Sequence, residues 1–214
     1  MDKSKASCSL VWIVVVLVTM ILSCIIALAY GEKVFVGCSA GVYVAESDPN
    51  VDQLHFTQIL GLNPRGITHD PMNGMLYIIQ SSTRILKANQ DGSGVATVLD
   101  LTGEYPWGIH IEKNDIFWTD YLADTVNRVN INNHTDTKVI ATNADYCLGI
   151  TGHNSSIYWA EANTHTVKKA AIDGSGVTTI ISGLTNAAAV TVDKAGQVGW
   201  IVEIEAGLEL GAKI

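Results

Sequence analysis

Three carboxylates recur at one phase of this chain. Asp70, Glu112 and Asp193 each lie four residues after the first residue of a short apolar segment: Gly66-Ile67-Thr68-His69-Asp70, Gly108-Ile109-His110-Ile111-Glu112 and Ala189-Val190-Thr191-Val192-Asp193. Oxygen ligands converging from several strands could hold a hard cation such as calcium. The fourth copy, Gly149-Ile150-Thr151-Gly152-His153, puts a histidine there and breaks the set. The spacing also tracks the turn after each segment, where Asp and Asn side chains accept backbone N–H bonds, and turn capping is the reading preferred here. No HExxH, GxSxG, GxxxxGK[ST] or CxxC occurs, and the six histidines are scattered. Catalytic residues, a resident metal and a cofactor are therefore not expected.

The carboxylates are one mark of a longer repeat. A second anchor follows each segment: Leu76-Tyr77-Ile78-Ile79-Gln80, Ile116-Phe117-Trp118-Thr119-Asp120, Ile157-Tyr158-Trp159-Ala160-Glu161 and Val198-Gly199-Trp200-Ile201-Val202. The second residues fall at 77, 117, 158 and 199, in steps of 40, 41 and 41. A period near 40 with several short strands per copy specifies an all-β fold, a β-propeller of four-stranded antiparallel blades. In the second copy the strands are Gly108 to Ile111, Ile116 to Thr119, Val126 to Ile131 and Lys138 to Ala141, separated by polar turns. Asp91-Gly92-Ser93-Gly94 and Asp173-Gly174-Ser175-Gly176 are tight hairpins between third and fourth strands. Tyr77, Phe117, Trp118, Tyr158, Trp159 and Trp200 are assigned to the widening wedge between blades. Asp120 and Glu161 end their strands as structural clamps, and the basic residues of Arg84-Ile85-Leu86-Lys87 and Val167-Lys168-Lys169-Ala170 lie along a solvated strand face.

The ends depart from the pattern. Residues 1–29 hold Lys3 and Lys5, then an apolar stretch from Leu10 to Leu28 and Ala27-Leu28-Ala29, the form of a signal-peptidase site. They are expected to be a hydrophobic helix, either a signal peptide cut before Tyr30 or an uncleaved anchor. In both cases the repeats lie on the extracellular or lumenal side, and a membrane is met only through this segment. The first blade, from Tyr30 to Leu60, lacks an innermost strand in this reading. Full repeats run near 66–107, 108–148 and 149–188, with a partial one at 189–202 inside a propeller of 30–202 and a non-repeat tail at 203–214. At about 40 residues per blade, these segments supply four to five blades. Asn133-His134-Thr135 and Asn154-Ser155-Ser156 are N-glycosylation sequons in expected hairpins. Cys38 and Cys147 either form one bridge or stand as two buried thiols. Net charge is −8 with no basic run, which disfavours nucleic acid.

Phe117-Trp118-Thr119-Asp120 with its preceding Gly-Ile strand, and the basic strand leading into Asp-Gly-Ser-Gly, resemble the YWTD repeat, the low-density lipoprotein receptor class B repeat. Tyr158-Trp159-Ala160-Glu161 is a fair match, and the other two copies are degenerate. The resemblance implies a six-bladed propeller of cell-surface receptors and basement-membrane proteins; six blades need about 240 residues, so the expected propeller is incomplete, with four to five blades of the six. The function implied is non-catalytic binding of a secreted or cell-surface protein, as in endocytic receptors and Wnt co-receptors. It also implies that partners meet the open face around the central channel, rimmed by the segments before each innermost strand. Arg65, Tyr105, Trp107 and Tyr146 lie there and have the composition of binding hot spots; Trp107 could instead plug the channel. The alternative function is a calcium-dependent propeller hydrolase, similar to lactonases or strictosidine-synthase-like proteins, built on Asp70, Glu112 and Asp193.

Overall fold

The computed structural model describes residues 24–30, 33–46, 54–81, 83–193, 198–204 and 210–213. Their regular structure is entirely strand, in five antiparallel sheets. Blade 1 is β1 (Cys24–Tyr30), β2 (Lys33–Cys38), β3 (Gly41–Glu46) and β4 (Thr57–Leu60). Blade 2 is β5 (Pro64–His69), β6 (Leu76–Gln80), β7 (Arg84–Ala88) and β8 (Ala96–Asp100). Blade 3 is β9 (Pro106–Glu112), β10 (Asp115–Asp120), β11 (Thr125–Asn130) and β12 (Asn133–Thr142). Blade 4 is β13 (Cys147–His153), β14 (Ser156–Glu161), β15 (Thr166–Ala171) and β16 (Thr178–Ile181). Blade 5 is β17 (Ala187–Val192), β18 (Val198–Ile204) and β19 (Leu210–Lys213). Each sheet follows chain order, and the innermost strands pack in series: β1 on β5, β5 on β9, β9 on β13, β13 on β17.

The second strand of blades 1 to 4 is buried on both faces, so alternate residues fill two different wedges. Tyr77 and Ile79 pack forward against Ile109, Ile111, Ile116 and Trp118 of blade 3. Phe117 packs forward against Ile150, Ile157 and Trp159 of blade 4, and Tyr158 against Ala187 and Val190 of blade 5. Phe35 does the same between blades 1 and 2. Trp118 and Trp159 thus face backward, Phe117 and Tyr158 forward, in equivalent surroundings one blade apart. The Asp-Gly-Ser-Gly hairpins close with Asp91 Oδ1 accepting the Ser93 N–H at 2.9 Å and Asp173 Oδ1 accepting that of Ser175 at 2.9 Å. Gly92 and Gly174 have φ of 84° and 89°, in the region that favours glycine. Each hairpin abuts the outermost strand of the preceding blade, at the carbonyls of Ile59 and Ile140.

Several expectations change. Blade 1 does have an innermost strand: β1 pairs Tyr30 with Lys33 and Cys24 with Cys38. The expected hydrophobic helix does not extend over residues 24–29, where the chain instead pairs with the edge of β2 as β1. The leader expectation for residues 1–23 lies outside the described residues, among which no helix is long and apolar enough to cross a membrane. The tail contributes β19, which pairs with β18. Trp200 falls opposite Thr191, as Tyr158 falls opposite Thr151. It therefore takes the phase of Phe117 and Tyr158, not that of Trp118 and Trp159. The register slips between Thr191 and Val192, opposite Gly199, and a one-residue slip reverses strand phase. The possible disulfide is absent. Cys38 and Cys147 are both free and buried, one ending β2 of blade 1 and the other opening β13 of blade 4. Burial and the carboxylates of Glu161, Asp124 and Asp120 push the Cys147 thiol up to about 12, so it stays protonated at neutral pH.

The motif threonine ties blades together. Thr119 is fully buried; its Oγ1 accepts the Gly108 N–H at 2.9 Å and donates to the Leu148 carbonyl of blade 4 at 2.6 Å. Thr119→Val keeps the shape and removes both bonds. It is expected to destabilise by about 1–3 kcal/mol, as a buried donor and acceptor lose their partner. Urea unfolding of the two proteins measures it; equal midpoints would refute the tie.

Candidate binding rim

Each innermost strand opens with a bulge. Pro64 pairs with Gln80 and Gly66 with Ile79, which leaves Arg65 as the extra residue. The same count leaves one extra residue before Gly108, before Gly149 and before Ala189. These residues are Arg65, Trp107, Leu148 and Ala188, one in each of blades 2 to 5, at the mouth of the strands around the axis. Bulges re-aim side chains in this way at functional edges.

The bulge residues and the loops beside them build one aromatic cluster. The Arg65 guanidinium carbon stands 5.3 Å from the Trp107 ring centroid, within cation–π range. Trp107 meets Tyr121 edge to face at 5.9 Å. Tyr121 also meets Tyr105 at 5.9 Å and Tyr146 at 5.3 Å, both steeply inclined. All four rim residues named from the sequence thus come together, from blades 2, 3 and 4. The hub is Tyr121, which the sequence reading did not single out. It follows the Phe-Trp-Thr-Asp anchor directly, where the other copies carry Ser81, Ala162 and Glu203. Its one signal was an aromatic with no counterpart in the repeat. Trp107 and Tyr121 rest on a floor of Leu148, Ala162 and Ala188. Tyr105 and Tyr146 remain 44% and 39% exposed, and Leu122 beside them 56%. Trp107 is both the floor-packed residue and the partner of Arg65.

Carboxylates hold the loops that carry these rings. Asp120 is 2% exposed; its Oδ2 accepts the Tyr105 N–H at 3.0 Å, and its Oδ1 accepts those of Leu122 at 3.1 Å and Ala123 at 3.0 Å. Asp124 Oδ1 accepts the Tyr146 N–H at 2.8 Å. Tyr146 has φ of 51°, a left-handed conformation that is unusual for a bulky side chain. Strained backbone of this kind clusters where a side chain is held for binding. Trp118 Nε1 donates to Oε2 of Glu104, the residue before Tyr105, at 3.0 Å. Burial pushes the Glu104 carboxyl above its usual range, with Asp120 adding to the effect against the pull of the Trp118 bond.

The other sequence candidates lie elsewhere. Asp70 Oδ1 accepts the Met72 N–H at 2.8 Å in its own turn. Glu112 Oε1 accepts the Ser155 N–H of blade 4 at 2.9 Å, and its Oε2 stands 3.9 Å from His110 Nε2. Asp193 follows β17. Among the described residues no three His, Cys, Asp or Glu side chains are grouped as metal ligands. Glu161 is fully buried and bonds side chains rather than backbone: Trp159 Nε1 at 2.8 Å, Thr164 Oγ1 at 2.7 Å and Lys168 Nζ at 2.9 Å. Lys168 is therefore not on a solvated face, and Lys169 lies over the Tyr158 ring at 5.1 Å.

No protein-family model matches the chain. It is 28% identical over 101 residues to low-density lipoprotein receptor-related protein 5 of Mus musculus, which covers 47% of this chain and 6% of that protein. Among solved structures it is similar to one in a nidogen/laminin complex, with a TM-score of 0.71 and 18% identity over 80% of this chain and 69% of that one. It is also similar to a catalytically inactive virginiamycin B lyase from Staphylococcus aureus with quinupristin, with a TM-score of 0.64 and 17% identity over 88% of this chain and 69% of that one. Taken with the forty-residue period, these matches make the fold a β-propeller, and the Phe-Trp-Thr-Asp blade and the receptor-related match make it similar to propellers of the low-density lipoprotein receptor class B type.

Proposed function

We propose that this propeller is a non-catalytic extracellular or cell-surface binding module whose rim takes a secreted or cell-surface protein. The observation that carries this is the Arg65–Trp107–Tyr121 cluster with Tyr105 and Tyr146, an aromatic and arginine patch spanning three blades. Such residues, half-buried on a firm floor, are what dominates binding energy at protein interfaces. The resemblance to a structure solved with laminin, and to a receptor-related protein, supports a protein as the ligand class.

Binding to an array of secreted and cell-surface proteins, followed by interferometry of the hits, tests it. Trp107→Ala is expected to weaken a genuine partner at least about tenfold, roughly 1.4 kcal/mol or more. Val139→Ala, on an exposed outer strand, leaves the affinity unchanged. Partners that bind both variants as tightly as the parent would place the site elsewhere. The hydrolase alternative has likeness of fold to a lyase in its favour. Stoichiometric calcium binding accompanied by lactone turnover would favour it over the binding module.

A further inference from the structure

The rim leaves the sequon Asn133-His134-Thr135 unused. Strand direction fixes its side of the propeller. β10 ends at Asp120, beside the rim loops, and β11 runs away from them from Thr125 to Asn130. The β11–β12 hairpin, in which Asn130 pairs with Asn133, therefore lies on the opposite side. β12 is also the outermost strand of its blade. Residues 132–135 are all exposed. Asn133 Oδ1 accepts the Thr135 hydroxyl at 2.8 Å and its N–H at 3.3 Å, so the carboxamide and the hydroxyl of the sequon are already in contact. That contact engages the oxygen and leaves Nδ2 out of it. The second sequon differs. Asn154 Nδ2 lies 2.7 Å from His153 Nε2, in a turn with φ of 49° and 63° at Asn154 and Ser155. The turn is bound to Glu112 of the neighbouring blade.

We propose that Asn133 carries an N-linked glycan on the outer edge of the face opposite the rim. The proposal rests on the extracellular reading above. Asn133 Nδ2 attacks the anomeric carbon of a lipid-linked oligosaccharide diphosphate. The new N–C bond replaces the C–O bond to phosphate, the lipid diphosphate leaves, and a base takes the Nδ2 proton. A bulky, hydrated chain there guards one broad face and leaves the aromatic face open to a protein ligand.

Expression of the full chain in cultured animal cells tests the proposal, with protease protection of microsomes reporting whether the chain is lumenal. Peptide-N-glycosidase is expected to shift the lumenal protein by one glycan. Digestion in heavy-oxygen water is expected to label Asn133 by its conversion to aspartate. Asn133→Gln and Thr135→Ala each abolish the shift; Asn154→Gln keeps it. A lumenal chain whose mobility does not change on digestion overturns the glycan alone. So does a shift lost in Asn154→Gln and kept in Asn133→Gln. A chain that never reaches the lumen overturns the extracellular reading and the glycan with it.

Discussion

Glu161→Ala is expected to cost about 3–5 kcal/mol of folding stability, the range for stranding one partner of a buried ion pair. Glu161 is 0% exposed and Lys168 22%, and their charged groups are 2.9 Å apart. The carboxylate also accepts the Trp159 indole N–H and the Thr164 hydroxyl. Alanine leaves an ammonium, an indole N–H and a hydroxyl without their acceptor inside a packed blade. Glu161→Gln keeps the volume and one carbonyl oxygen, and is expected to lose roughly half as much, since hydrogen bonds to charged groups are about twice as strong. The exposed pair Lys33–Glu46, at 3.6 Å, supplies the contrast: Glu46→Ala is expected to change stability by less than about 1 kcal/mol. Urea unfolding followed by tryptophan fluorescence reads all three variants. A cycle with Lys168→Met isolates the pair. Glu161→Ala within about 1 kcal/mol of the parent would show that the network does not stabilise this blade.

That network also marks where sequence reasoning stopped. The period was legible because blades 1 to 4 each bury their second strand on both faces, so its central positions are apolar in each of them. The rim was partly legible, because Arg65 and Trp107 hold equivalent positions just before Gly66 and Gly108. Lys168 was misread because a basic strand next to a polar hairpin has the pattern of a solvated face. Only the pairing of Lys168 with Trp159, beside a buried Glu161, shows that its amine turns inward. Tyr121 was missed because it occurs once, in a loop that the repeat leaves free to vary. Trp200 was placed out of phase because a bulge does not show in spacing counted along one strand. Residues 24–29 were read as helix because a short apolar run suits either state, and an edge left by β2 decided it.

Gly149→Ala is expected to destabilise by about 2–3 kcal/mol, the upper part of the range for overpacking a closed core. Gly149 has no unusual backbone angle to preserve, so the effect is one of space. A Cβ there would lie 2.5 Å from Ala189 Cα and 2.8 Å from the Ala188 carbonyl oxygen. Both are backbone atoms of the next innermost strand, and neither can turn aside as a side chain can. A Cβ on Gly108 would likewise lie 2.5 Å from the Leu148 carbonyl oxygen, one blade earlier. The recurring glycine is thus the residue that lets successive innermost strands approach, and the Thr119 bond to Leu148 depends on that approach. Gly61→Ala is the control: its added methyl would meet one flexible atom, Gln58 Nε2, at 3.9 Å. It is expected to be neutral or slightly stabilising, through the lower entropy of the unfolded chain. Denaturant midpoints of the two variants separate the effects. Because the bulge residues Leu148 and Ala188 form the floor under Trp107 and Tyr121, Gly149→Ala is also expected to weaken ligand binding at the rim while Gly61→Ala does not. Equal stability of the two variants would mean that the blades tolerate wider spacing, and that the glycine of each copy answers to something other than strand approach.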